Sequence, residues 1–204
     1  MKAVGIDLAG VESKQTGFCL LDESLNTKTS VLYTDKEIIK EVEKIKPDII
    51  SIDAPLALPK GRKSLEERSD VHLRKCDKEL AKMGIKFFPI TLGPMRKLTK
   101  RGIKLRKFFE KKSFKVIESF PGSTQDILGM PRKQRGLEKL RRALIKYGFK
   151  GDVNKKEISD HELDAICSAL VGKMYLEDDY MAIGDPEEML MILPKRKESL
   201  KGFV

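Results

Sequence analysis

Apolar residues along the chain gather into short runs separated by polar turns, and the spacing changes character twice. Lys2 to Leu8 is a compact apolar run that ends at Ala9-Gly10, and Thr16 to Asp22 and Thr29 to Thr34 follow after short polar loops. Such runs predict three strands in a meander. Lys36 to Lys46 carries Ile38, Ile39, Val42 and Ile45 at helical offsets, and Pro47 stops the helix because a following proline disfavours the α region. Asp48 to Asp53 is a buried strand ending at Ala54-Pro55. A helix leading directly into a buried strand predicts a crossover and a parallel neighbour.

The middle of the chain changes to helical, charged patterning. Lys63 to Met83 favours helix with Gly84 as its stop, and Gly93 to Lys112 reads as a basic helix. Phe114 to Ser119 is the next strand, closed by Pro121-Gly122. Ser123 to Leu128 and Leu137 to Tyr147 are predicted helices. Ser159-Asp160-His161-Glu162 fits a capping box that opens a helix running to about Leu176. Tyr180 to Ile183 and Met189 to Leu193 are late strands, or a hairpin around Asp185-Pro186. This order predicts an α/β fold: a mixed five-stranded sheet flanked by helices. We expect one domain over 1–204, with a mainly helical insertion at about 60–112 and a short C-terminal extension at about 178–204.

Composition narrows the class. The 204 residues are 40% hydrophobic and 35% charged, which is globular rather than disordered. Cys19, Cys76 and Cys167 are odd in number and lack metal-ligand spacing, so they read as small core residues in a reducing, cytoplasmic setting. No apolar run approaches the roughly 20 residues of a membrane span, and Met-Lys-Ala-Val-Gly-Ile-Asp meets charge too early for a signal peptide.

Three acids stand where acids are least expected. Asp7 and Asp53 are isolated charges at the ends of apolar strands, and Glu118 lies at the end of Phe-Lys-Val-Ile. Ligands of open α/β sheets bind outside those strand ends. On parallel neighbouring strands the three carboxylates converge, and a hard divalent cation relieves their repulsion. Asp164 adds a fourth acid at the edge of a helical stripe of Leu163, Ile166, Cys167 and Leu170, with Asp160 one turn earlier and His161 between them. A first-turn acid such as Asp160 also complements the helix dipole. Asp7, Asp53, Glu118, Asp164 and Asp160 are thus the candidate metal ligands, and Asp7, Asp53, Glu118, Asp164 and His161 the candidate catalytic residues.

The net charge is +10, from 41 Lys and Arg against 31 Asp and Glu. Arg96, Lys97, Lys100, Arg101, Lys104 and Lys107 crowd one predicted helix, and Arg132 to Lys146 form a second basic cluster. Near an acidic centre, such clusters point to a phosphate backbone as partner. Arg74, in the insertion, is counted with the nucleic-acid-binding candidates. Aromatic interleaving is thin, so base stacking is not indicated.

Gly-Ile-Asp-Leu-Ala-Gly, Thr-Gly-Phe, Ser-Ile-Asp-Ala-Pro-Leu, Arg-Lys-Cys-Asp-Lys-Glu-Leu, Glu-Ser-Phe-Pro-Gly and Asp-His-Glu-Leu-Asp-Ala-Ile-Cys-Ser-Ala-Leu occur in that order. This set resembles domain-of-unknown-function family 429, whose members are described as predicted nucleases of RNase H fold. The resemblance runs from Gly5 to about Leu170. It implies strand order 3-2-1-4-5 with only strand 2 antiparallel, and acids at Asp7, Asp53 and Asp164. Glu118, and an Arg62 to Leu80 insertion with Arg74 and Asp77, depart from the standard RNase H core. Junction-cutting relatives pair, so a homodimer is compatible with the resemblance. The combined expectation is a nuclease working with two Mg²⁺ or Mn²⁺ ions roughly 4 Å apart, bridged by Asp7. The alternatives are an Mg-ATP phosphotransferase or ATPase of the actin-like class and a non-catalytic nucleic-acid-binding module.

Overall fold

The computed structural model describes residues 1–195. The part of the expected C-terminal extension from 196 to 204 lies outside the described residues. Strands β1 (Lys2–Asp7), β2 (Thr16–Asp22) and β3 (Asn26–Leu32) form the meander, followed by helix α1 (Asp35–Ile45) and strand β4 (Ile49–Asp53). Helices α2 (Lys75–Lys82) and α3 (Gly93–Lys111) lie between β4 and β5, where a mainly helical insertion is expected, and β5 (Val116–Ser119) returns to the sheet. Then come α4 (Pro121–Ile127), α5 (Leu137–Tyr147), the two-residue strand β6 (Lys150–Gly151), α6 (Asp160–Leu176), β7 (Tyr180–Ile183) and β8 (Met191–Pro194).

The sheet order is β6-β3-β2-β1-β4-β5-β8-β7. Its core therefore runs 3-2-1-4-5, and within it only β2 is antiparallel to its neighbours. This is the RNase H-like arrangement. The sheet has eight strands rather than five. β6 adds to the β3 edge, while β8 pairs parallel with β5 and carries β7 antiparallel outside it. The late apolar runs are thus strands of the same sheet.

Strand alternation divides the core between two layers. Val4, Ile6, Ile50 and Ile52 pack with Ile38 and Val42 of α1 and with Leu105 and Phe109 of α3. On the other face lies α6, buried along nearly its whole length, with Leu140 and Leu144 of α5 packed beside it. Its N-terminus is fixed by the expected capping box: Ser159 accepts from the Glu162 amide, and Glu162 accepts from that of Ser159. The three cysteines are free and buried.

One expected helix is mostly absent. Within Lys63 to Met83 only Lys75–Lys82 is helical. The preceding segment is wound around Arg62, whose guanidinium donates to the carbonyls of Ser64 (2.8 Å), Val71 (2.7 Å) and Glu67 (2.9 Å). Those carbonyls serve the guanidinium and not a helical ladder, so tertiary bonding overrides local propensity.

Candidate functional site

The site is built by two strand ends and one helix start. In the parallel pairing of β1 and β4, Asp7 lies directly opposite Asp53. Both follow, at a spacing of two, residues that face α6: Gly5 on β1 and Ser51 on β4. Gly5 is there because nothing larger fits: a Cβ on it would lie 2.1 Å from the Ala165 carbonyl oxygen of α6. Gly17 on β2 makes the same close approach to the His161 carbonyl. The two glycines let α6 rest on the sheet backbone, which brings its first two turns over the strand ends.

His161 Nδ1 then donates to Asp7 Oδ2 at 2.7 Å, and that bond holds the imidazole pKa above its ordinary value. Asp164 is buried at 6% exposure. Its Oδ1 accepts from Gln125 Nε2 at 2.8 Å, and its Oδ2 faces Lys133 Nζ at 2.8 Å. Lys133 Nζ also reaches Asp160 Oδ2 at 3.0 Å. Asp53 is half-buried. Burial, then the charges of Asp7 and Asp164, push its pKa well above the carboxylate range. Asp164 is also raised, by burial and by Asp7, against the opposing pull of Lys133 and Gln125. These shifts have the form expected of converging carboxylates whose repulsion lacks a full counter-charge. Among the described residues, no group of three or more His, Cys, Asp or Glu stands ready to hold a metal ion as arranged. Both oxygens of Asp164 are taken, one by Gln125 and one by Lys133.

Asp7, Asp53, Asp164, Asp160 and His161 are therefore brought together, and Glu118 is not. Glu118 sits opposite Ile52, whereas Ser119 sits opposite Asp53. The pleat turns Glu118 to the other face of the sheet. There it is 1% exposed and forms a two-pronged pair with Arg74, whose Nη1 and Nη2 each donate to it at 2.6 Å. The Leu56 amide donates to it as well, at 2.7 Å.

This also corrects Arg74. It is 1% exposed, tied to Glu118 and Asp77, and presents no charge to a nucleic acid. Arg101 is corrected in the same way: it is buried, donating to Asp35 Oδ1 (2.7 Å) and to the carbonyls of Ala9 (2.8 Å) and Tyr33 (2.6 Å). Lys104 pairs with the same Asp35, Lys100 with Glu66, and Arg96 donates to the Leu65 carbonyl. Lys97 and Lys107 are exposed on α3. Lys97 borders a groove of about 420 Å³ with Lys14, Val11 and Leu98; a second recess of about 570 Å³ runs from Lys14 and Gln15 to His161.

Two residues of the site, Gln125 and Lys133, escape sequence reasoning. Pro121 at the first turn of α4 starts that helix directly after β5. The expected helix begins two residues later, at Ser123, and covers Gln125, but a lone polar residue within it carries no sign of a site role. Lys133 reads only as one more charge in a basic cluster.

The family described as Protein of unknown function (DUF429) matches residues 5–188. The chain belongs to that family. Among solved structures, this DUF429 chain is similar to "T. thermophilus RuvC in complex with Holliday junction substrate", with TM-score 0.49, 12% identity, and 87% of this chain and 96% of that chain covered. It is also similar to "Thermus thermophilus RuvC structure", with TM-score 0.46, 12% identity and the same coverage. No curated protein matches the DUF429 chain in sequence. Among the described residues no helix is long and apolar enough to cross a membrane.

Proposed function

We propose that the chain is a divalent-metal-dependent nuclease that hydrolyses phosphodiester bonds at the Asp7–Asp53–Asp164 edge of the sheet. The observation that carries this reading is the register of Asp7 against Asp53, with Asp164 over both, on an RNase H-like core. The donor set suits Mg²⁺ or Mn²⁺, since it is all carboxylate oxygen. Burial first, and the neighbouring acids after it, raise Asp53 and Asp164, and a cation would offset the part that is repulsion. Asp7, Asp53 and Asp164 would hold the metal, with Asp160 at the margin; two ions are the expectation, and Glu118 takes no part.

Bound metal would supply activation of a water and stabilisation of the leaving oxygen. The chain's own residues do the rest. Asp7 orients His161 through Nδ1, which directs Nε2 of the ring away from Asp7 and leaves it to exchange a proton with water or substrate. Gln125 fixes Asp164 from the buried side. The recess beside His161, with Lys14 and Gln15, and the groove continuing to Lys97 suit an anionic backbone entering the site. The partner on this reading is a nucleic acid, drawn by the excess of basic charge.

The test is a cleavage screen over single-stranded, duplex and junction DNA and RNA, with Mg²⁺ or Mn²⁺ against EDTA. Asp7→Asn should abolish turnover while retaining substrate binding. Undiminished cleavage by a clean Asp7→Asn preparation would overturn the assignment.

A further inference from the structure

The acidic site contains a cation of its own. Lys133 Nζ lies 2.8 Å from Asp164 Oδ2 and 3.0 Å from Asp160 Oδ2, two carboxylates one helical turn apart on α6. Gln125 fills the other oxygen of Asp164. An ion that took Asp164 as a ligand would have to displace one of these donors, and the two differ in freedom. Gln125 is buried at 2% exposure within α4. Lys133 is half-buried, on a long flexible stem, in a short 3₁₀ turn. That turn lies between two glycines in the left-handed region, Gly129 (φ 67°) and Gly136 (φ 124°). An ammonium and a divalent cation on one carboxylate repel each other strongly in so enclosed a place.

We propose that Lys133 is a resident counter-cation that competes with the divalent ion for Asp164 and leaves the acidic site when metal binds. The inference rests on the metal-centre reading above. In the metal-free chain Lys133 offsets the charge of Asp160 and Asp164 and keeps the site folded. The same contact weakens metal binding, so Lys133 sets the concentration at which the site loads. Once displaced, its ammonium remains at the mouth of the site, on the same turn as exposed Arg135, where an incoming phosphate would meet it.

The experiment measures Mn²⁺ affinity of the full chain by the electron paramagnetic resonance signal of free Mn²⁺, alongside thermal melts in EDTA and in Mn²⁺. The proteins compared are the wild type, Lys133→Met, Lys133→Gln and Asp164→Asn. Lys133→Gln keeps a donor for Asp164 but no charge, so it serves if Lys133→Met folds poorly. Both charge-removing variants should bind Mn²⁺ at least about tenfold more tightly than wild type, equivalent to about 1.4 kcal/mol. They should melt lower in EDTA and gain more from Mn²⁺, and Asp164→Asn should lose binding. Equal or weaker affinity in both Lys133 variants, with the wild type binding and Asp164→Asn not, would overturn the competition and leave the metal centre standing. Absence of Mn²⁺ binding in wild type and Lys133 variants alike would overturn the metal centre, and this inference with it.

Discussion

At the residue scale, three arginines among the described residues, Arg62, Arg74 and Arg101, are buried. Arg74 and Arg101 look in sequence like members of a solvated basic surface, yet Arg74 pairs with buried Glu118 and Asp77, and Arg101 with buried Asp35. Glu118 is 44 positions from Arg74, and Asp35 is 66 positions from Arg101. Arg74→Ala would strand Glu118 without a counter-charge, a loss of about 3–5 kcal/mol for a buried pair. Urea denaturation checks it; a variant with wild-type stability and weakened nucleic-acid binding would return Arg74 to the surface role.

Asp35 gives a pH signature. Burial alone would raise its pKa, but hydrogen bonds from Lys104 and Arg101 outweigh it and hold the group below its ordinary value. A depressed carboxylate stabilises the fold above its unfolded pKa of about 3.9, and the contribution fades as pH falls through the lower folded value. Asp35→Asn should therefore cost about 3 kcal/mol at pH 7, taken at the low end for a broken buried pair because the amide still accepts a hydrogen bond. The difference from wild type should shrink steadily below about pH 4. A pH-independent gap in denaturation midpoints would contradict the ion-pair account.

At the element scale, the site depends on how closely α6 lies on the sheet. A methyl group on Gly5 would meet backbone, at Ala165 O and at the Ala169 amide nitrogen (2.3 Å), and no flexible side chain is there to yield. Gly5→Ala should destabilise by about 3 kcal/mol, the upper end for overpacking, and should weaken metal binding by lifting Asp164 from Asp7. A melt and a Mn²⁺ titration check both; unchanged values would mean that α6 has room to shift.

The same helix explains what the sequence disclosed. Its capping box, its start and its end near Leu176 were local signals and were all legible. The placement of Asp7, Asp53 and Asp164 near one another was legible too, Asp7 and Asp53 as lone acids ending apolar runs and Asp164 as an acid at the edge of a helical stripe. Glu118 met the same criterion and was misplaced. A one-residue difference in register decides which face a strand residue takes, and register is a tertiary property. The coil around Arg62 was hidden for a similar reason, since helix-favouring residues yielded to a guanidinium that binds their carbonyls. Of the added strands, β6 has two residues and carries no periodicity to read.

At the scale of the whole molecule, the sheet separates two kinds of electrostatics. Buried Arg–carboxylate pairs secure the α1–α3 side, while the α6 side gathers acids at one edge, where Lys133 bridges Asp160 and Asp164 and His161 bonds Asp7. The first arrangement sets charge against opposite charge and the second sets acid against acid, the asymmetry on which the proposed metal centre rests. The most direct measurement is anomalous diffraction from crystals of the full chain soaked in Mn²⁺. The account predicts an anomalous peak between Asp7, Asp53 and Asp164, with Lys133 moved off Asp164 and the Arg74–Glu118 pair unchanged. A soaked crystal with no peak there, and Lys133 still seated on Asp160 and Asp164, would contradict it.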